Sequence, residues 1–255
     1  MTPAATKTIT YPRRKLIRKT GKVLCRMTLN LLMDIHIEGQ ENVPATGPLL
    51  LVGNHFSFID PLVLVRVAPW HLEFLGGFHN PSAPPIVKFI PWLWGYYPLF
   101  RGTGSRDSLR VAETLLHRGA IIGIFPEGGN WATVLRPARP GTAYLATRTG
   151  ATLLPVGSDG LIDVLPKLRK GRRAKVTLRV GKPFGPFEAT GKGRERREQL
   201  DEIGHQIMRQ IAGLIPSERQ GHYSPDPAVR LAAKGTEIYP WDTKTETEYK
   251  TVEFL

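Results

Sequence analysis

The apolar positions along the chain change period several times, and each change marks an element. Over residues 14–32 they recur at helical spacing. Leu16, Val23, Leu24, Met27 and Leu31 share one face with Thr20, and Lys15, Arg18, Lys19, Lys22 and Arg26 share the opposite one. Short apolar runs bounded by Gly or Pro predict strands over 49–52, 73–75, 120–125, 152–156 and 175–180. Helices are predicted between and after them, over about 60–68, 105–118, 139–149 and 195–214. In the second of these Leu109, Ala112, Leu115 and Leu116 form the buried stripe, and Gly119 stops it. Strand and helix alternate. This predicts an α/β fold with a mostly parallel central sheet flanked by helices and an N-terminal amphipathic helix.

The same pattern divides the chain into three parts. Residues 1–34 form a basic amphipathic membrane-contact segment, 35–215 the α/β domain, and 216–255, polar and rich in Pro and Thr, an extended C-terminal tail wrapped on the domain or partly loose. The whole chain has 255 residues, enough to bury one substantial core.

Charge changes the picture at the N-terminus. The formal net charge is +13, which favours anionic partners: nucleic acid, anionic lipid or phosphorylated metabolites. Residues 1–33 hold Lys7, Arg13, Arg14, Lys15, Arg18, Lys19, Lys22 and Arg26 and no acid. An apolar face opposite a basic face that no acid relieves favours an interfacial membrane helix over a surface helix packed on the domain. Each cationic side chain near an anionic leaflet contributes about 1 kcal/mol. The basic run 167–175 has no interleaved aromatics and so lacks the stacking platform of a single-strand nucleic-acid binder. It is a solvated loop or a contact for lipid phosphates, and no nucleic-acid partner is expected. The longest uncharged apolar stretch, 89–100, is too short to span a bilayer and contains Pro91 and Pro98, so no transmembrane helix is expected. Charges interrupt the apolar runs before residue 49, which argues against a signal peptide. Cys25 stands alone, so an intrachain disulfide and a cysteine metal cluster are both excluded.

Candidate chemistry starts at "GNHFSFIDPL", residues 53–62. His55 precedes Asp60 by five positions, about 140° apart on a continuous helix, so they meet only if the chain turns between them. Asp60-Pro61 is a helix-start signal that supplies such a turn. Either Asp60 fixes the imidazole as a base, or it caps the helix beside a structural histidine. Three further stretches lie at strand ends. "FPEGGN", 125–130, can aim a carboxylate and bare N–H groups at a ligand. Arg101 precedes a Gly-rich turn into a helix, a reasonable phosphate site or a solvated arginine. "LLPVGSDG", 153–160, ends another strand in small residues. The serine-hydrolase elbow, the P-loop and a completed dinucleotide fingerprint are all missing, and the other histidines show no metal-ligand spacing.

These four stretches, in this order, resemble the glycerophospholipid acyltransferase family, typified by the 1-acylglycerol-3-phosphate acyltransferases. The matching blocks are Asn54-His55 with Asp60, Gly95 to Arg101, Phe125 to Gly128, and Leu154-Pro155-Val156. The resemblance implies that His55 takes the proton from an acceptor hydroxyl while Asp60 orients the imidazole. The hydroxyl attacks an acyl thioester directly. Arg101 would hold the acceptor phosphate, and Glu127 and Gly128 would position the acceptor. Asn54, Gly129, Asn130 and Pro155 complete the implied substrate-binding set. It further implies no cofactor or metal, acyl-CoA or acyl carrier protein as co-substrate, and peripheral attachment to an anionic leaflet on the cytoplasmic side. Segment 89–100, with Trp92, Trp94, Tyr96 and Tyr97, would border the acyl chain or dip into the bilayer. Two alternatives share these residues: a carrier-independent transacylase, and an inactive membrane- or anion-binding protein of the same fold. The chain departs from the family pattern after Gly128. Gly129-Asn130-Trp131 stands where Gly-Thr-Arg-Ser is usual, and Arg136 or Arg139 would have to replace the missing arginine.

Overall fold

The computed structural model describes residues 14–77, 89–95, 97–99 and 105–238. Helix α1 (Lys15–Leu32) runs into strand β1 (Met33–Glu38), and β2 (Leu49–Gly53) leads to α2 (Asp60–Val67). Then follow β3 (Leu72–Gly77), α3 (Phe89–Trp94), β4 (Tyr97–Leu99), α4 (Ser105–His117), β5 (Ile121–Ile124), α5 (Pro140–Thr149) and β6 (Thr152–Asp159). The short α6 (Val164–Leu168), β7 (Ala174–Val180), α7 (Gly193–Ala212) and α8 (Pro227–Ala233) complete the order. The seven strands among the described residues line up as β1-β7-β6-β2-β5-β3-β4, and of these neighbours only β6 and β7 pair antiparallel. The predicted mostly parallel sheet between helices is therefore the observed one.

The central strands read as unbroken apolar runs because both sheet faces are covered. Leu50 and Val52 point into one cluster with α4, α5 and α7, whose contributions include Leu115, Ala146 and Ile207. Leu49 and Leu51 point into the other with Leu29 of α1 and Val63 and Leu64 of α2. Strand β1 is an unpredicted element. Its alternating burial, pairing along β7 from Met33–Ala174 to Glu38–Arg179, is the half-exposed pattern of an edge strand. Pro155 sits inside β6, normally a poor place for proline. It is tolerated because the antiparallel ladder is interrupted opposite it, between Val180 and Phe184, and only its carbonyl is used, by the Gly181 N–H at 2.9 Å.

Helix α1 packs on the domain by an unexpected face. The inward band is Arg18, Cys25, Leu29 and Leu32. The apolar stripe of Leu16, Val23, Leu24, Met27 and Leu31 points outward, each side chain more than half exposed. Arg18 does not belong to an exposed basic face. It is fully buried and grips Glu73 of β3 through two bonds of 2.5 and 2.8 Å. The carbonyls of Trp94 and Gly95 accept its remaining N–H groups. Lys22 is half-buried beside the Trp70 carbonyl, and burial together with Arg26 lowers its pKa to about 8. In the basic run, Arg173 donates to the carbonyls of Asn30 and Met33 at the end of α1, so part of that run holds the helix.

The expected extended tail is folded over its described part. Residues 217–219 and 221–223 form single 3-10 turns, and α8 begins at Pro227, capped by Asp226 accepting from the Ala228 N–H. Proline at the first helical position fits there for the reason that it interrupts elsewhere: its missing N–H is not needed.

Candidate active site

The site lies at the carboxyl ends of β2 and β5, neighbours in the sheet. Strand β2 ends at Gly53, and the chain turns through 54–59 before α2 starts. Asp60 is the first residue of α2 and does not cap it. Its carboxylate reaches backward instead: Oδ2 accepts from the N–H groups of Phe56 and Ser57 at 2.7 and 2.8 Å and contacts His55 Nδ1 at 2.8 Å. Three donors converging on one oxygen wrap the turn around the carboxylate. Burial pushes the Asp60 carboxyl up, and the imidazole and the two amides pull it back.

With Nδ1 engaged by Asp60, the neutral imidazole carries its proton there and offers Nε2 as the basic nitrogen. The ring lies flat against Phe125, centroids 4.2 Å apart and planes 18° from parallel, with 13% of the side chain exposed. The Phe125 stack and the Asp60 bond leave one orientation for a base at the edge of solvent.

Glu127 sits behind His55. Oε1 accepts the His55 backbone N–H at 2.7 Å, and Oε2 takes the Arg136 N–H at 3.3 Å and the Arg136 guanidinium Nε at 3.2 Å. The residue is 1% exposed, and burial raises its pKa to about 8 against the pull of Arg136. Both oxygens are thus occupied within the protein, which differs from the expected contact with acceptor. Gly128 turns with φ +75°, and its N–H closes the turn on the Phe125 carbonyl at 3.0 Å. A Cβ there would meet Arg139 at 3.0 Å as well as a strained backbone. The Gly129 carbonyl accepts from Arg136, and Asn130 is half-buried at the end of the turn.

Two other expected substrate contacts prove to be struts. Asn54 is buried with both ends of its amide on Ser158: Nδ2 donates to the Ser158 carbonyl at 2.9 Å, and Oδ1 accepts its N–H at 2.8 Å. This ties the end of β2 to β6. Pro155 is buried in the sheet, paired with Val52. The physical reason is common to both: adjacent parallel strands leave no room for substrate between them. Arg101 lies outside the described residues, as do Tyr96 and the side chains of Trp92 and Tyr97. Arg136 is buried under the Trp131 ring, 3.7 Å from guanidinium carbon to ring centroid, whereas Arg139 is exposed. The sequence pattern does not mark Phe125 as a ring stack, Ser158 as an anchor or Arg136 as the partner of Glu127. Only Phe125 carried a signal, being the aromatic that ends the strand before Pro126-Glu127. Among the described residues no three His, Cys, Asp or Glu side chains gather as metal ligands.

A profile of the acyltransferase family matches residues 34–159, which include His55, Asp60, Glu127 and Pro155. Over these residues, just under half of its length, the chain is similar to the acyltransferase family. Among its relatives is the chloroplastic 1-acyl-sn-glycerol-3-phosphate acyltransferase of Arabidopsis thaliana, 26% identical over 199 residues. That match covers 74% of this chain and 54% of the relative, so the chain spans about half the length of the plant protein. The lyso-ornithine lipid O-acyltransferase of Pseudomonas aeruginosa is 28% identical over 187 residues, covering 66% of this chain and 70% of that one. The crystal structure of the 1-acyl-sn-glycerophosphate acyltransferase from Thermotoga maritima shares the acyltransferase fold with a TM-score of 0.57 and 22% identity, covering 81% of this chain and 83% of that one.

Proposed function

We propose that the protein is an O-acyltransferase that moves a fatty acyl group from acyl-CoA or acyl carrier protein to the free hydroxyl of lysophosphatidate or a related lysophospholipid. The observation that carries this reading is His55, held by Asp60 with Nε2 left to accept a proton. The acceptor hydroxyl loses its proton to Nε2 as its oxygen attacks the thioester carbonyl. The tetrahedral intermediate expels the thiolate, and the imidazolium returns the proton to it. The imidazolium so formed faces the Asp60 carboxylate, which stabilises it. Glu127 acts from behind by holding the His55 backbone, and bare backbone at Gly128 and Gly129 borders the acceptor. Purified protein with labelled acyl-CoA or acyl carrier protein is expected to acylate lysophosphatidate. Transfer to no acceptor in a lysophospholipid panel, or equal transfer with no thioester present, would refute this.

A second reading concerns the head group. Arg136 is committed to Glu127, Gly129 and the Trp131 ring, and one relative is named for acylating lyso-ornithine lipid. These two observations together support lyso-ornithine lipid as a candidate acceptor beside lysophosphatidate. Including lyso-ornithine lipid in the same panel decides it: preference for lysophosphatidate removes the second reading.

The protein acts at a membrane surface in this proposal, on the cytoplasmic side and without crossing it. No described helix is long and apolar enough to cross a membrane. The outward stripe of α1, flanked by exposed Lys15, Lys19 and Arg26, supports a helix lying in an anionic leaflet. Replacing Leu24 and Met27 together by Glu is expected to weaken co-sedimentation with anionic vesicles at least about tenfold, since each buried side chain contributes about 1.5–3 kcal/mol. Unchanged co-sedimentation would refute the contact.

A further inference from the structure

The turn that carries Glu127 and Gly128 does not stand alone. Its far side, 131–139, is tied to the segment 217–238 at several points. The Leu135 N–H donates to the Arg219 carbonyl at 2.9 Å, and the Leu135 carbonyl accepts the His222 N–H at 3.2 Å. Arg219 donates to the Thr133 carbonyl at 3.3 Å. Gly221, with φ +51°, lies so close to Leu135 that a Cβ would stand 2.3 Å from its carbonyl oxygen. At the other end of the segment, the Trp131 indole N–H donates to the Thr236 carbonyl at 2.8 Å, and His222 Nε2 lies 3.2 Å from the Glu237 carboxylate.

Trp131 connects these ties to the base. Its ring covers the Arg136 guanidinium, which pairs with Glu127, and Glu127 accepts the His55 N–H. The path is continuous: Thr236 carbonyl, Trp131 indole, Arg136 guanidinium, Glu127 carboxylate, His55 backbone. Each link is short, Arg136 and Glu127 are buried and Trp131 is partly buried, so a displacement at one end is passed on along the path. We propose that Trp131 is a positioning residue that couples segment 217–238 to His55 through Arg136 and Glu127. The consequence is that a segment outside the sheet sets the placement of the base. The proposal rests on the acyltransferase reading for its kinetic part only.

Two substitutions separate the two contacts of Trp131. Trp131→Phe keeps a ring over Arg136 and loses the donor to Thr236, while Trp131→Ala loses both. With the acyl acceptor that the wild type uses, Trp131→Ala is expected to lower kcat between about tenfold and a hundredfold, the loss that a misplaced catalytic group brings. The KM for the acyl thioester stays near the wild-type value, and Trp131→Phe falls between the two. Amide hydrogen exchange at His55 reads the Glu127 bond directly and needs no activity. It is expected to speed up in the order wild type, Trp131→Phe, Trp131→Ala. Should Trp131→Ala fail to fold, Trp131→Phe and Gly221→Ala carry the test, the latter pushing the segment off Leu135 from the opposite side. Wild-type kcat and wild-type His55 exchange in Trp131→Phe and in Gly221→Ala would overturn the proposal. A wild-type protein with no transfer at all would refute the enzyme reading, and His55 exchange would still decide the coupling.

Discussion

Replacing His55 by Ala is expected to lower the acyl-transfer rate by about 10²–10⁴-fold, the usual contribution of a positioned general base. The fold should survive, because the imidazole adds only a ring stack and one hydrogen bond at the solvent edge. Asp60→Asn separates charge from geometry. All three donors converge on Oδ2, so an asparagine carbonyl oxygen in that place can still accept the Phe56 and Ser57 amides and the His55 ring. It removes the negative charge facing the imidazolium and puts an NH2 group where the buried Oδ1 has no partner, so the rate should fall and the stability drop by about 1–3 kcal/mol. The sign of the pH effect follows from the same pair. The base works only with Nε2 unprotonated, so the rate is expected to fall on the acid side. That acid limb belongs to the pair and should vanish in His55→Ala. Rates of both variants across pH, at saturating thioester, check all three expectations. Wild-type activity in His55→Ala would end the mechanism.

The largest stability effect is expected at Arg18. Arg18→Met removes both guanidinium bonds to the fully buried Glu73 carboxylate. Breaking one side of a buried ion pair costs about 3–5 kcal/mol. For a chain of this size that lowers the melting temperature on the order of 10 °C. Combining Arg18→Met with Glu73→Leu removes both charges and should restore most of the loss, since an apolar pair of similar volume is often no worse than a buried ion pair. Thermal unfolding of the two single variants and the double variant measures this. A single Arg18→Met variant that melts with the wild type would show that Glu73 finds another partner. The pair also bears on the membrane proposal, because it fixes which face of α1 is turned outward.

Much of the core was legible in the sequence because its signal is local. Continuous apolar runs ending in Gly or Pro located five of the seven strands. A strand covered on both faces has no alternation to obscure it. Strand β1 was missed even though "MDIHIE" alternates, since Asp34, His36 and Glu38 read as polar chain after a helix. Its strand character comes from pairing with Ala174–Val180, 141 positions later. The tail was read as extended for a similar reason. Its order over 217–238 comes from contacts with residues 131–139, not from an apolar period of its own.

For the active site the division is sharper. The sequence by itself showed that His55 and Asp60 can meet, because Asp60-Pro61 at a helix start supplies the turn that five positions of continuous helix would not. It also determined that a Glu-Gly turn follows a neighbouring strand. Only the tertiary structure decided what those groups face. Glu127 and Asn54 are turned inward, one holding the His55 backbone and the other Ser158, because a carboxylate or amide between packed strands must be satisfied where it lies. Arg18 was assigned to the basic face by helical spacing, yet it is buried, because its partner Glu73 lies 55 residues away in β3. Spacing along one element says which side chains share a face, whereas the partner across the fold determines whether that face is turned to water.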